Sequence, residues 1–298
     1  MTVPTHAHPV SAGVRRVTLL HAGIPLSGLL AEPRHGRPRA AVVCLHGGGM
    51  SAAYFDGQAH PDVSLLALGA RLGYSVLALD RPGYGASAVT TPQGQTLAEQ
   101  SATLSAALRG FAADHDIGAG MFLLAHSYGG KVALTMAADM AEGELIGLDV
   151  SGCGNRHAAE AARYAAAPGG RVGHRLNWGP LHLYPPGTFR ASASVVAPLP
   201  ERERLEWSSW PERYGRLAPR LRLPVRLTFA EHEAWWRHDD AAITDLTRSL
   251  AVPHTVDRLP GAGHNISLGW SARTYHLRAL AFLEECLARH GTGSLLPL

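Results

Sequence analysis

A serine stands where an apolar run gives way to an alanine-rich stretch, in Ala125-His126-Ser127-Tyr128-Gly129. The residues two positions before and after Ser127 are small, which permits the tight strand-to-helix turn that projects a serine hydroxyl outwards. A hydroxyl in that place can attack a carbonyl carbon and form an acyl-serine. The alternative is that Ser127 is an ordinary N-cap of the following helix. Other motifs must therefore decide between the two interpretations.

A run of three glycines that ends at Gly49 follows the apolar segment 40–45. Such a run leaves backbone N–H groups free beside the end of a strand. Two donors of this kind can stabilise the negative oxygen that forms when a serine attacks a carbonyl. We expect these donors to be the amides of Gly48 and of Tyr128, the residue after the serine. The run therefore favours the nucleophilic interpretation.

The same glycines also fit the dinucleotide-binding pattern G-x-G-x-x-A, through Gly47, Gly49 and Ala52. That pattern needs a helix directly after it and an acidic residue about 20 positions further on. Here the following stretch contains Pro61, and the first acidic residue at a strand end, Asp80, lies 31 positions after Gly49. We therefore do not expect a nucleotide site.

A histidine and a carboxylate would complete the group that an attacking serine needs. His264 follows the last predicted strand in a glycine-rich loop, and imidazole can take up and return a proton near neutral pH. A carboxylate should orient the imidazole and stabilise its charged form. Glu233 lies just beyond the preceding strand and gives the chain order serine, acid, histidine. Asp149, near the end of an earlier strand, and Glu231 remain as alternative acids.

Short apolar runs alternate with longer segments of helical periodicity, which is typical of a mostly parallel sheet covered by helices. The alternation fails in 152–224, where glycine, proline and aromatic residues are frequent and only short helices at 156–166 and 201–209 are expected. We interpret this segment as an insertion over one end of the sheet. The predicted strands are 14–20, 26–31, 40–45, 75–79, 121–125, 145–150, 225–229 and 254–259, and the predicted helices are 62–72, 96–114, 128–140, 238–250 and 271–290.

Over about residues 14–290 these motifs resemble those of the α/β-hydrolase fold. The segment from Asp80 to Ser87, DRPGYGAS, adds a fourth motif, because it resembles the loop after the fourth strand in that family. The resemblance implies an α/β fold with a mostly parallel eight-stranded sheet flanked by helices. It divides the chain into a core domain of 1–151 and 225–298 and a cap insertion of 152–224.

The resemblance also implies a catalytic triad of Ser127, Glu233 and His264. Since the nucleophile is serine, it argues against the dehalogenase and epoxide-hydrolase branches, which use aspartate. The sequence departs from the family pattern at Ala125 and Ala230, where glycine is common, and in having glutamate where aspartate is the commoner acid.

The predicted insertion differs in composition from the rest of the chain. Residues 152–224 contain eleven arginines and five glutamates, with neither lysine nor aspartate, and seven of the 20 aromatic residues. An aromatic wall with a basic rim suits an anionic acyl donor, such as a coenzyme A or acyl-carrier-protein thioester. The alternative is that arginine is simply the usual cation of this chain and the aromatic residues form the core of the cap. The residues expected to contact substrate are Trp178, Tyr184 and Trp235, and those expected at the rim are Arg202, Arg204, Arg213 and Arg216.

The composition argues against several other classes of protein. The 298 residues include 26 arginines but a single lysine, Lys131, without the basic runs of nucleic-acid-binding proteins. No apolar run reaches the ~18 residues of a membrane span, and the first residues do not form a signal peptide. We therefore expect a cytoplasmic protein. The three cysteines are far apart, and the spacing of histidines and cysteines predicts no metal site, disulfide or cofactor.

We expect a serine hydrolase that acts on a small-molecule acyl ester or thioester through an acyl-Ser127 intermediate. The first alternative is an acyltransferase that passes the acyl group from a coenzyme A or carrier-protein thioester to an alcohol or amine, for instance in natural-product biosynthesis. The weaker alternative is a ligand-binding protein that has the same fold but no turnover.

Overall fold

A sheet of eight strands forms the centre of the computed structural model, which describes residues 9–166 and 173–293. The strands are β1 (Val14–His21), β2 (Ile24–Ala31), β3 (Ala41–Leu45), β4 (Ser75–Leu79), β5 (Met121–His126), β6 (Leu145–Ser151), β7 (Val225–His232) and β8 (His254–Gly263). Their order is β1-β2-β4-β3-β5-β6-β7-β8. Both pairings of β2 are antiparallel, and the other five are parallel. The predicted α/β fold with a mostly parallel sheet is confirmed.

Burial along the strands explains why these segments form such a sheet. β3, β4 and β5 are buried at every position, as expected for central parallel strands with both faces covered. β1 lies at the edge, and its exposed positions include Arg15, Arg16 and Thr18. The apolar runs therefore fill the middle of the sheet, and the charged strand faces solvent.

Helices cover both faces of the sheet and create two buried apolar clusters. Leu104 and Val132 belong to one cluster, and Leu65 and Leu283 belong to the other. In residues 9–166 and 173–293 no helix is long and apolar enough to cross a membrane. The α-helices are α1 (Leu65–Arg71), α2 (Leu97–Asp114), α3 (Tyr128–Asp139), α4 (Ala159–Ala166), α5 (Gly173–Trp178), α6 (Thr188–Ala191), α7 (Glu201–Leu205), α8 (Trp210–Leu217), α9 (Asp240–Thr247) and α10 (Ala272–Gly293).

The segment between β6 and β7 carries α4 to α8 and lies against loops that follow the central strands. The N–H of Ala197 donates to the carbonyl of Gly49 at 2.9 Å, and the N–H of Arg202 donates to that of Gln93 at 3.1 Å. We propose that this segment, 152–224, is the cap. Residues 167–172 of the proposed cap, and residues 1–8 and 294–298 of the proposed core domain, lie outside the described residues.

The last two strands are longer than the sequence indicates. β7 reaches His232 and β8 reaches Gly263, and these two residues pair after a register shift in the ladder. Pro260 and the glycines around it are typical of a loop, but pairing with the neighbouring strand overrides that local preference. Glu233 and His264 therefore follow directly on two adjacent parallel strands and leave the sheet side by side.

Candidate active site

Ser127 lies between β5 and α3 with a φ of 53° and a ψ of −117°, a backbone conformation that few residues other than glycine adopt. Its N–H donates to the carbonyl of Ser151 at 2.8 Å, and its carbonyl accepts from the N–H of Gly130 at 2.9 Å. A Cβ on Gly129 would lie 2.3 Å from the carbonyl oxygen of Leu45, so a larger residue does not fit there. These contacts hold a strained turn that fixes the serine hydroxyl at the end of β5.

Ser127, His264 and Glu233 form one hydrogen-bonded row. His264 Nε2 lies 3.1 Å from Ser127 Oγ, and His264 Nδ1 lies 2.9 and 2.8 Å from the two carboxylate oxygens of Glu233. The histidine and the glutamate are only 2% and 7% exposed, so solvent competes little for these hydrogen bonds. With Nδ1–H donating to the carboxylate, the Nε2 lone pair faces the hydroxyl. The row can therefore remove the serine proton and stabilise the imidazolium that results.

Glu233 is held in place by its own segment of chain. Its N–H donates to the carbonyl of Ala230 at 3.1 Å and closes a turn after β7. Its Oε1 atom accepts from the N–H of Trp235 at 2.9 Å. The backbone donor and the imidazole together fix the orientation of the carboxylate.

The two alternative acids lie apart from the imidazole. Asp149 forms a buried ion pair with Arg226 on the neighbouring strand and accepts from the hydroxyl of Tyr275 at 2.6 Å. Burial raises the pKa of this aspartate. Glu231 is exposed and accepts from a backbone N–H of β8 at 2.7 Å. Of the three candidate carboxylates, Glu233 is the one that the structure brings to the histidine.

The two residues expected to supply oxyanion donors are adjacent. A Cβ on Gly48 would lie 3.7 Å from Cβ of Tyr128. The N–H of Gly49 donates to the hydroxyl of Tyr84 at 3.0 Å and is therefore already used. Within the described residues the amides of Gly48 and Tyr128 donate to no protein acceptor. These two N–H groups can therefore bind an oxygen that approaches Ser127.

His126 packs behind the histidine of the row. Its ring centroid lies 4.7 Å from that of His264, and its ring stacks on that of Tyr54 at 4.7 Å. Its Nδ1 atom lies 3.0 Å from the hydroxyl of Ser151. Burial and the neighbouring His264 lower the pKa of His126, so the ring is neutral at pH 7. It therefore supports the imidazole without adding a charge.

The aromatic residues expected to contact substrate lie around the same histidine. The ring of Trp235 is 6.1 Å from that of His264, and its indole N–H donates to Asn177 at 2.8 Å. Trp178 is half-buried, and its ring lies 5.2 Å from that of Tyr184. Tyr184 is buried, and a Cβ on the glycine before the histidine would lie 2.3 Å from its hydroxyl. All three residues therefore border the loop that carries the imidazole.

A buried ion pair that the sequence analysis missed joins the proposed cap to the core. Arg81, which follows β4, pairs with Glu203 on α7, and both side chains are fully buried. The carboxylate also accepts from Tyr84 at 2.7 Å and from Gln100 at 3.2 Å, while the guanidinium donates to the carbonyl of His46 at 2.9 Å. In the sequence Glu203 is one of several glutamates in an arginine-rich segment, so no local pattern marks it.

The arginines expected at the rim all have carboxylate partners. The pairs are Arg202 with Glu99, Arg204 with Glu201, Arg213 with Glu206, and Arg216 with Glu212. Each partner offsets the positive charge of its arginine. Each of these four arginines is therefore paired, and the anionic acyl donor stays a prediction.

Comparisons with known proteins concern the fold and the family of the chain. A family model described as "Alpha/beta hydrolase family" matches residues 42–275, which span the strands and loops that carry the row. No curated protein sequence matches the chain significantly.

Several solved structures share the fold. The carboxylesterase CesB from Bacillus subtilis superimposes with a TM-score of 0.65 at 18% identity, over 91% of both chains. A highly thermostable carboxyl esterase from Bacillus coagulans superimposes with a TM-score of 0.66 at 16% identity, over 93% of this chain and 100% of that one. An AqdC variant that cleaves the ring of the Pseudomonas quinolone signal superimposes with a TM-score of 0.66 at 17% identity, over 92% of this chain and 99% of that one. At these identities the likeness is one of fold. Because the family model covers most of its length, the chain belongs to the alpha/beta hydrolase family of enzymes.

Proposed function

We propose that the protein is a serine hydrolase that cleaves an acyl ester or thioester through an acyl-Ser127 intermediate. The observation that carries the proposal is the row of Ser127, His264 and Glu233, with the serine held at positive φ. Two structures of the same fold belong to carboxylesterases, which is consistent with this chemistry. The amides of Gly48 and Tyr128, which lie beside the serine, can stabilise the oxyanion that forms when the serine attacks.

In the acylation step, Oγ of Ser127 attacks the acyl carbon while His264 Nε2 takes the hydroxyl proton. The carbonyl oxygen becomes an oxyanion, which the N–H groups of Gly48 and Tyr128 bind. When the tetrahedral intermediate collapses, the bond to the leaving alcohol or thiol breaks, and the imidazolium returns the proton to it. A water molecule then attacks the acyl-serine by the same route and releases the acid. Glu233 keeps Nδ1 protonated throughout.

Three aromatic residues border the loop that carries His264. We propose that Trp178, Tyr184 and Trp235 contact the acyl group or the leaving group, because they border the histidine loop. Aromatic walls stabilise ring-bearing or acyl groups mainly by burying apolar surface. Substitution of Trp235 by Ala should therefore raise KM more than it lowers kcat.

Covalent labelling tests the proposal directly. A fluorophosphonate should add to the wild type once, at Ser127, and Ser127→Ala should show neither the adduct nor turnover of p-nitrophenyl esters above background. Intact mass spectrometry with peptide mapping reads out the adduct. Labelling at another residue, or an active Ser127→Ala variant, would overturn the proposal.

The acyltransferase alternative is distinguished by the products. With a thioester donor and added alcohol or amine, a hydrolase yields free acid at a rate that the acceptor does not change. An acyltransferase yields the new ester or amide, and its donor consumption rises with acceptor concentration. Chromatography of the products with and without acceptor separates the two.

A further inference from the structure

Lys131, the one lysine of the sequence, is buried on α3 four residues after Ser127. It is 1% exposed, and its Nζ has no hydrogen-bond partner in the described part of the chain. Four aromatic rings, which we call the aromatic cage, surround the ammonium. The cage consists of Tyr128, Trp207, Trp210 and Trp236, whose centroids lie 5.2, 5.9, 5.5 and 5.3 Å from Nζ.

The two carboxylates near the cage each form an ion pair with an arginine. Glu203 pairs with Arg81, and Glu206 pairs with Arg213 at 2.8 Å. Neither carboxylate forms an ion pair with Lys131. Among the described residues, Nζ of Lys131 therefore has no ion-pair partner in contact. The rings of the cage attract the cation at close range, and Glu203 and Glu206 attract it from further away.

The remaining titratable groups that face the ammonium are neutral at pH 7. Burial raises the pKa of Cys153 to about 12 and lowers that of His157 to about 4. Burial also raises the pKa of the Tyr128 hydroxyl. For Lys131 itself burial lowers the pKa to about 8. Among these four groups, the lysine is therefore the one that changes charge between about pH 7 and pH 10.

We infer that Lys131 is a positioning residue whose buried ammonium stabilises the oxyanion that forms at Ser127. The inference rests on the proposed serine mechanism. Tyr128 links the two sites, because its ring belongs to the cage while its N–H is a proposed oxyanion donor. An ammonium already paired with a carboxylate would add little to the transition state. An ammonium with no carboxylate in contact, attracted by Glu203 and Glu206 only from a distance, can still gain from a negative charge that exists only during the reaction.

The expected effect is on rate and not on substrate binding. At an effective dielectric constant of ~20, the attraction between two unit charges changes a rate about 30-fold at a separation of ~8 Å and about 15-fold at ~10 Å. A negative charge that is absent from the bound ester cannot attract the lysine in the ground state. kcat should therefore depend on the charge of Lys131, and KM should change little.

The wild-type pH profile is the first test. With the p-nitrophenyl ester that the enzyme hydrolyses best, kcat should fall about 15- to 30-fold through a midpoint near pH 8 and then level off at a non-zero plateau. The plateau is expected because the neutral amine leaves the rest of the site intact. A kcat that stays constant from pH 7.5 to 10 would overturn the inference.

Variants give the second test. Lys131→Met should show the plateau value of kcat at every pH above 7, with KM within threefold of wild type. Lys131→Arg, which stays charged, should recover part of kcat at pH 7 and lose the fall near pH 8. Arg109→Met removes an exposed charge on α2 instead and should keep the wild-type profile. If Lys131→Met keeps the fall near pH 8, another group causes it and the inference is wrong.

Failure of this inference is distinguishable from failure of the proposed function. Fluorophosphonate labelling of Ser127 in wild type and in Lys131→Met reports the serine mechanism alone. Labelled Ser127 with no change of kcat in Lys131→Met rejects only the role of the lysine. Absence of labelling in the wild type rejects the proposed function itself.

Discussion

The carboxylate of Glu203 lies against the guanidinium of Arg81, and neither side chain is exposed to solvent. Their pairing links the helix α7, late in the proposed cap, to the loop after β4. The guanidinium also donates to the carbonyls of His46 and Gly47, at 2.9 and 3.2 Å. The position of the glycine run beside Ser127 therefore depends on a side chain more than 150 residues further along the chain.

Glu203→Gln should lower the free energy of unfolding by about 3–5 kcal/mol, because it leaves the Arg81 charge buried without its partner. Urea denaturation measures this loss. Glu201→Gln is the matched control, since that residue forms an exposed pair with Arg204 on the same helix and should change stability by less than about 1 kcal/mol. Equally small losses of unfolding free energy in the two variants would contradict the prediction.

Glu233→Gln should lower kcat by about 10⁴-fold without unfolding the protein, because the amide no longer selects the imidazole tautomer that can accept the serine proton. Asp149→Asn should instead lower stability, since it weakens a buried pair with Arg226, and keep most of the activity of each folded molecule. Rates per folded molecule, with the folded fraction measured by circular dichroism, separate these effects. A large loss of kcat in Asp149→Asn, with little loss in Glu233→Gln, would show that Asp149 is the acid that orients the histidine.

Gly129→Ala should abolish activity and destabilise the fold, because its Cβ would lie 2.3 Å from a carbonyl oxygen of β3. Gly110→Ala, on the exposed side of α2, meets nothing within 4 Å and should stabilise the protein by about 0.5–1 kcal/mol. Thermal unfolding and esterase assays of both variants measure the contrast. Full activity in Gly129→Ala would show that the turn can relax.

Lys131 should also leave a signature in stability. Its pKa is about 8 in the folded protein, below that of a lysine in an unfolded chain, so the unfolded state binds more protons above pH 8. Relative to Lys131→Met, the wild type should therefore gain about 3 kcal/mol of unfolding free energy between pH 8 and about pH 10.4. Denaturation curves at intervals across that range test the trend. Parallel pH dependence in the two proteins would show that the lysine does not titrate as described.

The sequence predicts those features that depend on residues close together in the chain. The turn at Ser127 follows from small neighbours on either side, and the strands follow from short apolar runs. The sequence does not decide between Glu233 and Asp149, because the choice depends on how β7 and β8 are paired. The register shift that carries His264 to the strand end has no local marker.

Features that join distant segments could not be predicted in the same way. Glu203 looks like any helix-surface glutamate until the fold brings it to Arg81. The aromatic cage collects rings from α3, from the proposed cap and from the loop after β7, which no spacing in the sequence reveals. The sequence shows Lys131 only as the single lysine, whereas its burial depends on the three-dimensional structure.

A protein whose one lysine is buried presents no lysine amine at its surface. Amine-reactive dyes and crosslinkers aimed at lysine should therefore modify the folded protein very slowly at that position. Unfolding, or opening of the cage, would expose the amine and make it reactive. Mass-spectrometric tracking of acetylation at Lys131 over time would thus report, at this one position and without an engineered probe, how often the proposed cap separates from α3.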